Sequence, residues 1–518
     1  MENLRLITSN RLEILAERLA DALRRPPASP LDPEVVLVQS RGMERWLSLE
    51  LARHHGVCAN VRFPFPNAFI RGLFQKVFSW LPDRSPFDPD VLTWRIMGLL
   101  PGLIQRNGFE GLHDYLGDGG EDLRRLQISG RIADLFDQYL LYRPEMMFAW
   151  ERGEETHWQA RLWRELVRGG EGTHRAALAE RFHSAIRDPL FQPEGLPERV
   201  SVFGISVLPG FHIHILAALS RFTQVHLYLM NPCREYWGDI LSRWEMRRRA
   251  GRDVEPHRIA EEFHMERGNS LLATMGALAR DFFDQITEFE WVEENCFQDP
   301  GEEDLLHSIQ SQILNLMEPG EGAGDKRAIG ETDASVQIHS CHTPMREMEV
   351  LRDRLLDLFD QDPGLRPGDV LVMAPDIESY VSYIQAVFDI PEEDPAYIPF
   401  SIADRSVHRE SAVLETFTAI LDLWGSRFEV SRVLALLDCA ALRDTFAITE
   451  GDLDLIQMWV EQTRIRWGIS GESKAGLGLP PNPENTWEAG LERLLLGYAL
   501  PGEGERLFEG ILPYDGVE

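Results

Sequence analysis

Four polar side chains, Gln39, Ser40, Arg41 and Arg45, follow directly on the apolar run Val35–Val38. Amide, hydroxyl and guanidinium groups can bond the phosphates and base edges of a nucleic acid, but none is suited to activating water. The apolar run fits a strand covered on both faces, as in a parallel sheet, and such sheets bind ligands where their strands end. Gly42 sits in the short loop that follows, and a helix starts through Trp46 and Leu47. An ordinary strand–helix corner accounts for the same residues, so the stretch Pro33–Leu47 offers recognition chemistry without requiring it.

Nucleotide hydrolysis can be tested on the lysines. A phosphate-binding loop needs glycines that expose backbone N–H groups, then Lys followed by Ser or Thr. Lys76, Lys326 and Lys474 are the only lysines, set in Phe-Gln-Lys-Val, Gly-Asp-Lys-Arg and Glu-Ser-Lys-Ala, and none fits. The first strand–helix junction, Thr8-Ser9-Asn10, is short and lacks glycine. Magnesium would call for a carboxylate at the end of a neighbouring strand. The apolar runs Val200–Ile205 and Val225–Met230 end instead in Ser206 and Asn231. Glu472-Ser473-Lys474 is the one carboxylate-x-lysine of two-metal nuclease type, and it lies in a glycine-rich loop without an upstream Asp strand. His212 and His214, two apart on a helix, point away from each other and read as structural. No nucleophile elbow or dinucleotide turn is present.

These residues need elements to hold them. Leu4–Ile7 reads as a strand, followed by a helix with Leu12, Leu15, Leu19 and Leu23 on one face and Asn10 and Glu13 at capping-box spacing. Phe63-Pro64-Phe65-Pro66 is a stiff aromatic loop. From about Pro89 to Arg187 the pattern is helical. Its best segment is Leu123–Tyr142, with Ile132, Leu135, Phe136, Tyr139 and Leu140 as the buried stripe and Asp134, Asp137 and Gln138 turned to water. Ser270–Thr287 reads as one helix, and Glu318–Ala334 as a linker rich in Gly, acid and Pro. A second α/β unit is expected beyond it, with strands at Val336–Ser340, Asp369–Met373 and Pro399–Ile402, then helices from Ser411 onward.

A chain of 518 residues holds more than one domain. Its net charge of −32 excludes coating DNA by bulk electrostatics, though not a narrow channel lined with arginine. Basic residues are nearly all arginine, which suits planar bidentate contacts and equally a GC-rich genome. Five scattered cysteines form neither a disulfide framework nor a zinc spacing. No apolar run spans a membrane and no leader precedes the first strand, so a cytoplasmic protein is expected.

Several blocks together resemble one family. They are Ser9–Glu13, the Gln-Ser-x-Gly-Met-x-x-Trp-Leu run ending at Leu47, Phe63–Pro66, Ala133–Leu140 with Tyr142–Pro144, Asn231–Asp239, Arg346–Val350 and Ile465–Ile469. In order and over nearly the whole chain they resemble the RecC family, the gamma subunits of the exodeoxyribonuclease V (RecBCD) helicase–nuclease. The family subunit is considerably longer, so the match is to its N-terminal, helicase-like portion. The resemblance implies an α/β fold of two RecA-like, superfamily 1 helicase-like domains that lack ATPase motifs, each with helical insertions. The first would span 1–320 with its insertion at about 89–190, 321–334 would be the linker, and 335–518 the second domain, with its α/β part at 335–405.

The resemblance also implies a non-catalytic subunit. It would work in double-strand break repair by homologous recombination, guide unwound single-stranded DNA and scan it for the octamer Chi. RecB-like and RecD-like partners would bind ATP and Mg. Family positions that contact Chi carry over to Gln39, Arg41, Arg45, Phe65, Arg71, Asp134, Leu135, Asp137, Arg143 and Arg175. Arg41 stands where the family's best-known pattern has Thr, Arg45 where it has Gln, Phe65 where it has Leu and Arg71 where it has Trp. Arginine only donates, whereas glutamine donates and accepts, so a different or blunter octamer reading is expected. Two other readings remain: an active AddB-like helicase–nuclease subunit, which would carry a glycine-rich phosphate loop and cluster-binding cysteines, and a purely architectural scaffold.

Overall fold

The computed structural model describes residues 3–29, 31–117, 122–168, 173–242, 245, 268–318, 328–403, 411–500, 506–514 and 516. The chain divides into two units, Met1–Gln337 and Ile338–Glu518. Of the expected linker, residues 321–327 lie outside the described residues.

The first unit is built on one sheet. Its strands are β1 (Leu4–Ser9), β2 (Glu34–Leu37), β3 (Val61–Arg62), β4 (Arg199–Phe203), β5 (Gln224–Met230) and β6 (Val292–Asn295), in spatial order β3-β2-β4-β5-β1-β6. Every pairing is parallel, with Leu4 opposite Val225 and Val35 opposite Val200. Alternate residues face opposite layers. Leu37, Val202 and Leu227 point into a core closed by α3 (Pro66–Val77), α9 (Arg175–Arg187) and α10 (Gly210–Leu219). Val36, Val38, Phe203 and Tyr228 face α1 (Leu12–Leu23) and α2 (Arg41–His55). Helices on both faces explain why Val36, Leu37 and Val38 are all buried, as the unbroken apolar run implies.

Between α3 and β4 the chain leaves the sheet for a helical body with its own core. Its helices are α4 (Pro89–Leu103), α5 (Glu110–Leu116), α6 (Asp122–Tyr142), α7 (Pro144–Arg152) and α8 (Trp158–Val167), and α9 returns the chain to the sheet. In α6, Ile132, Phe136 and Leu140 are buried as the periodicity requires, while Leu135 and Tyr139 lie half-buried at its margin. After β5 come α11 (Ser270–Met275), α12 (Ala277–Thr287) and, beyond β6, α13 (Leu305–Leu314). The single helix expected over 270–287 is broken at Gly276, where an added Cβ would stand 2.5 Å from the Leu272 carbonyl oxygen.

The expected capping box at Asn10 and Glu13 does not form. Arg11 is the N-cap of α1 and makes no side-chain cap. Asn10 instead exchanges two hydrogen bonds with the Gln298 backbone, 2.8 and 2.9 Å, and the Ser9 hydroxyl donates to the Cys296 carbonyl at 2.9 Å. The segment that follows the parallel neighbour β6 supplies backbone partners that a local cap would otherwise provide.

The second unit differs from expectation. No strand is formed at Val336–Ser340, Asp369–Met373 or Pro399–Ile402, and Ile338, Leu371 and Met373 are exposed. A strand is held by a neighbour's hydrogen bonds and a covering layer, and these segments have no ladder partner among the described residues. The helices among the unit's described residues are α14 (Pro344–Gln361), α15 (Val381–Phe388), α16 (Ala412–Leu423), α17 (Val430–Ala435), α18 (Ala440–Phe446), α19 (Glu450–Gln462), α20 (Gly471–Gly476) and α21 (Trp487–Ala499). Met348, Leu355, Val387, Phe388 and Ile398 make a small core between α14 and α15. Among the described residues no helix is long and apolar enough to cross a membrane.

Candidate nucleic-acid interface

The C-terminal ends of β2 and β3 carry the first group of candidate residues. Val38 donates its backbone N–H to the Pro64 carbonyl at 3.4 Å, holding the two ends side by side. Gln39 then leaves the sheet exposed, and Ser40 caps α2 by accepting from Met43 N at 3.1 Å. Capping turns the chain sharply, so Arg41 emerges at the first position of the helix and Arg45 one turn later on the same side. The Arg41 guanidinium lies 5.5 Å from the centre of the Phe65 ring, a cation–π pair, and also reaches Glu44 at 2.7 Å. Phe65 is itself exposed, because as N-cap residue of α3 it stands just outside the helix. Arg45 is exposed.

α3 carries the surface onward to Arg71, six residues and about 9 Å along the axis. Arg71 bonds Asp88 at 2.8 Å and donates to the Asp83 carbonyl. Asp88 also accepts from Ser85 N at 2.9 Å and precedes Pro89, the first residue of α4. The Arg71 guanidinium is thus bound up with the α3–α4 connection rather than held out as a planar cation. Nothing local in the sequence marks Asp88 as a partner for Arg71.

A second group comes from α6 and α9. Asp137 does not face water as its helix position suggests. It pairs with Arg175 at 2.6 Å, the two side chains being 19% and 23% exposed. Burial raises the Asp137 carboxyl above the ordinary aspartate range. Arg175 opposes that shift, and the negative charges of Asp88 and Asp134 add to it. Asp88 therefore joins the two groups, bonded to Arg71 and close enough to Asp137 to repel it. Asp134 is exposed beside them and Leu135 half-buried. Arg143 is exposed at the far end of α6, where the chain turns into α7.

Two residues behind this strip gave no functional signal in the sequence. His212 is buried on α10 and bonds Asn67 of α3 at 2.9 Å. Burial, reinforced by nearby Arg175, lowers its pKa to about 4, so it stays neutral. His214 bonds the Gly210 carbonyl at 2.7 Å. Lys76 bonds the Gly195 carbonyl, and Lys474 is buried against the Glu484 carbonyl and the Trp467 ring, while Lys326 lies outside the described residues. Among the described residues no group of three or more His, Cys, Asp and Glu is placed to hold a metal ion.

Chemically, these residues offer an aromatic face, several guanidinium groups and carboxylate acceptors. A model of the RecC N-terminal domain matches residues 4–316. The chain belongs to the RecC family. A second model, the RecC fourth domain of the RecBCD enzyme, matches residues 410–518. The chain is 39% identical to the RecBCD enzyme subunit RecC of Escherichia coli over 99% of its own length and 49% of that protein's. It is 37% identical to the Haemophilus influenzae subunit, covering 96% of the chain and 48% of the relative. For the Mycolicibacterium smegmatis subunit the identity is 32%, covering 99% and 47%. The chain therefore spans about half the length of these RecC relatives.

Proposed function

We propose that this chain is a non-catalytic, DNA-guiding portion of a RecBCD-type helicase–nuclease, and that the strip from Gln39 to Arg175 contacts an unwound single strand. The observation that carries the reading is the Arg41–Phe65 pair at the end of β2. Stacking on an aromatic face and bidentate bonding by a guanidinium are how proteins read splayed bases. Arg41 and Phe65 are two of the four departures from the family's best-known pattern, and they touch each other. Changes that fit together favour a rebuilt reading surface over one that has drifted, so the octamer read differs from the best-known Chi.

The same reading gives the chain a helicase-like first unit without a fuel pocket. At the β1–α1 junction, where a motor would hold phosphates, Ser9 and Asn10 are committed to Cys296 and Gln298. ATP and Mg belong to RecB-like and RecD-like partners in a cytoplasmic complex. The test is to assemble the enzyme and map where degradation pauses on DNA of varied sequence. Pausing at a new octamer that is lost on Arg41→Thr with Phe65→Leu supports the reading. Pausing at the best-known octamer alone, or none anywhere with single-strand binding unchanged in Arg41, Arg45 and Arg143 triple variants, defeats it.

A further inference from the structure

Behind the strip, α7, α8 and α9 enclose a fully buried imidazole. His174 is the N-cap of α9, and its Nδ1 accepts from Ala177 N at 3.2 Å. An accepting Nδ1 in a neutral ring leaves the proton on Nε2, and Nε2 stands 2.9 Å from Glu151 Oε1 on α7. The same oxygen accepts from the Trp163 indole at 2.9 Å. Phe87, Phe148 and Trp163 hold the ring with centroids 5.5–5.8 Å away. The helix amide thus sets one tautomer for His174, and the Glu151 carboxylate lies beside its other nitrogen. Histidine is an unusual cap compared with Ser, Thr, Asp or Asn, which would close the helix without reaching α7.

The residue after this cap is Arg175. Where α9 starts decides where the arginine leaves the backbone, and its guanidinium meets Asp137 on α6. We propose that Glu151 and His174 are positioning residues that lock the start of α9 to α7 and so hold Arg175 against Asp137 at the edge of the strip. This rests on the single-strand reading above. A shift of about an ångström at such a remote support is enough to spoil a bidentate contact.

The test uses the full-length chain assembled with its partner subunits and a short fluorescein-labelled single strand of mixed sequence. Binding is measured for Arg175→Ala, His174→Ala, His174→Asn, Glu151→Gln and the double variant His174→Ala/Arg175→Ala. Arg175→Ala is expected to weaken binding about tenfold, the loss of one base contact. His174→Ala should lose nearly as much, and His174→Asn, which restores a cap acceptor, should regain part of it. Glu151→Gln should fall between. The double variant should be no weaker than Arg175→Ala, since an arginine that is gone cannot be misplaced. Full additivity in the double variant, or unaltered binding in His174→Ala beside a weakened Arg175→Ala, overturns the positioning role. If Arg175→Ala itself binds like the unaltered protein, the single-strand reading fails and takes this inference with it. Should His174→Ala fail to assemble, His174→Asn against Glu151→Gln decides: Glu151→Gln binding as tightly as the unaltered protein overturns the role.

Discussion

Val36, Leu37 and Val38 in the first unit and Leu371, Val372 and Met373 in the second are matching apolar trios. The first is at most 2% exposed; the second is 49–84% exposed. The first trio lies in or directly after a strand with a parallel neighbour on either side and helices over both faces. The second has no ladder. The same contrast holds for helices. In α2, Leu47 and Leu51 are buried, whereas in α16 Val413, Phe417 and Leu421, spaced four apart on one face, are all exposed, and Trp424 just beyond is 94% exposed. A hydrophobic pattern states which face wants cover. It does not supply the cover, and a parallel strand in particular depends on neighbours distant in the chain.

The sharpest way to break this comparison is Arg199→Ala. Arg199 pairs with Glu34 across β2 and β4 and donates to the Ala22 and Arg25 carbonyls at 2.7 and 3.0 Å. Its loss leaves a nearly buried carboxylate, and unfolding of the first unit in urea should become easier by about 3–5 kcal/mol. Next, Leu37→Ala should cost the first unit about 2–5 kcal/mol, while Leu371→Ala should stay within about 0.5 kcal/mol. Equal costs would dissolve the contrast between the units.

Acid should act on the first unit too. Burial lowers His212 and His226 to about 4, against 6.5 for a free histidine. A lowered histidine contributes stability that is complete above the unfolded value and is lost as pH falls toward the folded one. Each should therefore remove about 2 kcal/mol by pH 5, read from urea midpoints at stepped pH. A flat midpoint between pH 7 and 5 would contradict it. The smallest effect is at the cap: Ser40→Ala should cost about 1 kcal/mol by the same measurement, and Arg45→Ala, wholly on the surface, within about 0.5 kcal/mol.

How far the sequence could be read depends on the range of the interaction. The buried stripe of α6 was legible because periodicity is local, and Ile132, Phe136 and Leu140 obey it. The break at Gly276 was not, since a lone glycine within an apolar pattern carries no statement about a carbonyl one turn back. Asn10 and Glu13 had the spacing of a capping box, but the segment after β6 offered Asn10 a better partner 288 residues away. In the candidate strip, residue types announced stacking and guanidinium chemistry. That Arg41 covers Phe65, that Arg71 is spent on Asp88, and that Asp137 turns inward to Arg175 could not be read from any local pattern.

From the sequence alone came the identity of the chemistry: arginine, glutamine and aromatic groups after a buried strand, no lysine placed to hold a phosphate, and apolar periods that name each element's inner face. Those are properties of single residues and of neighbours a turn apart. The tertiary structure alone decided which apolar runs became strands, which arginines stayed exposed and which were bound to carboxylates. The reason is physical: ladder hydrogen bonds, burial and ion pairs are made between residues that only the folded chain brings within a few ångströms of each other.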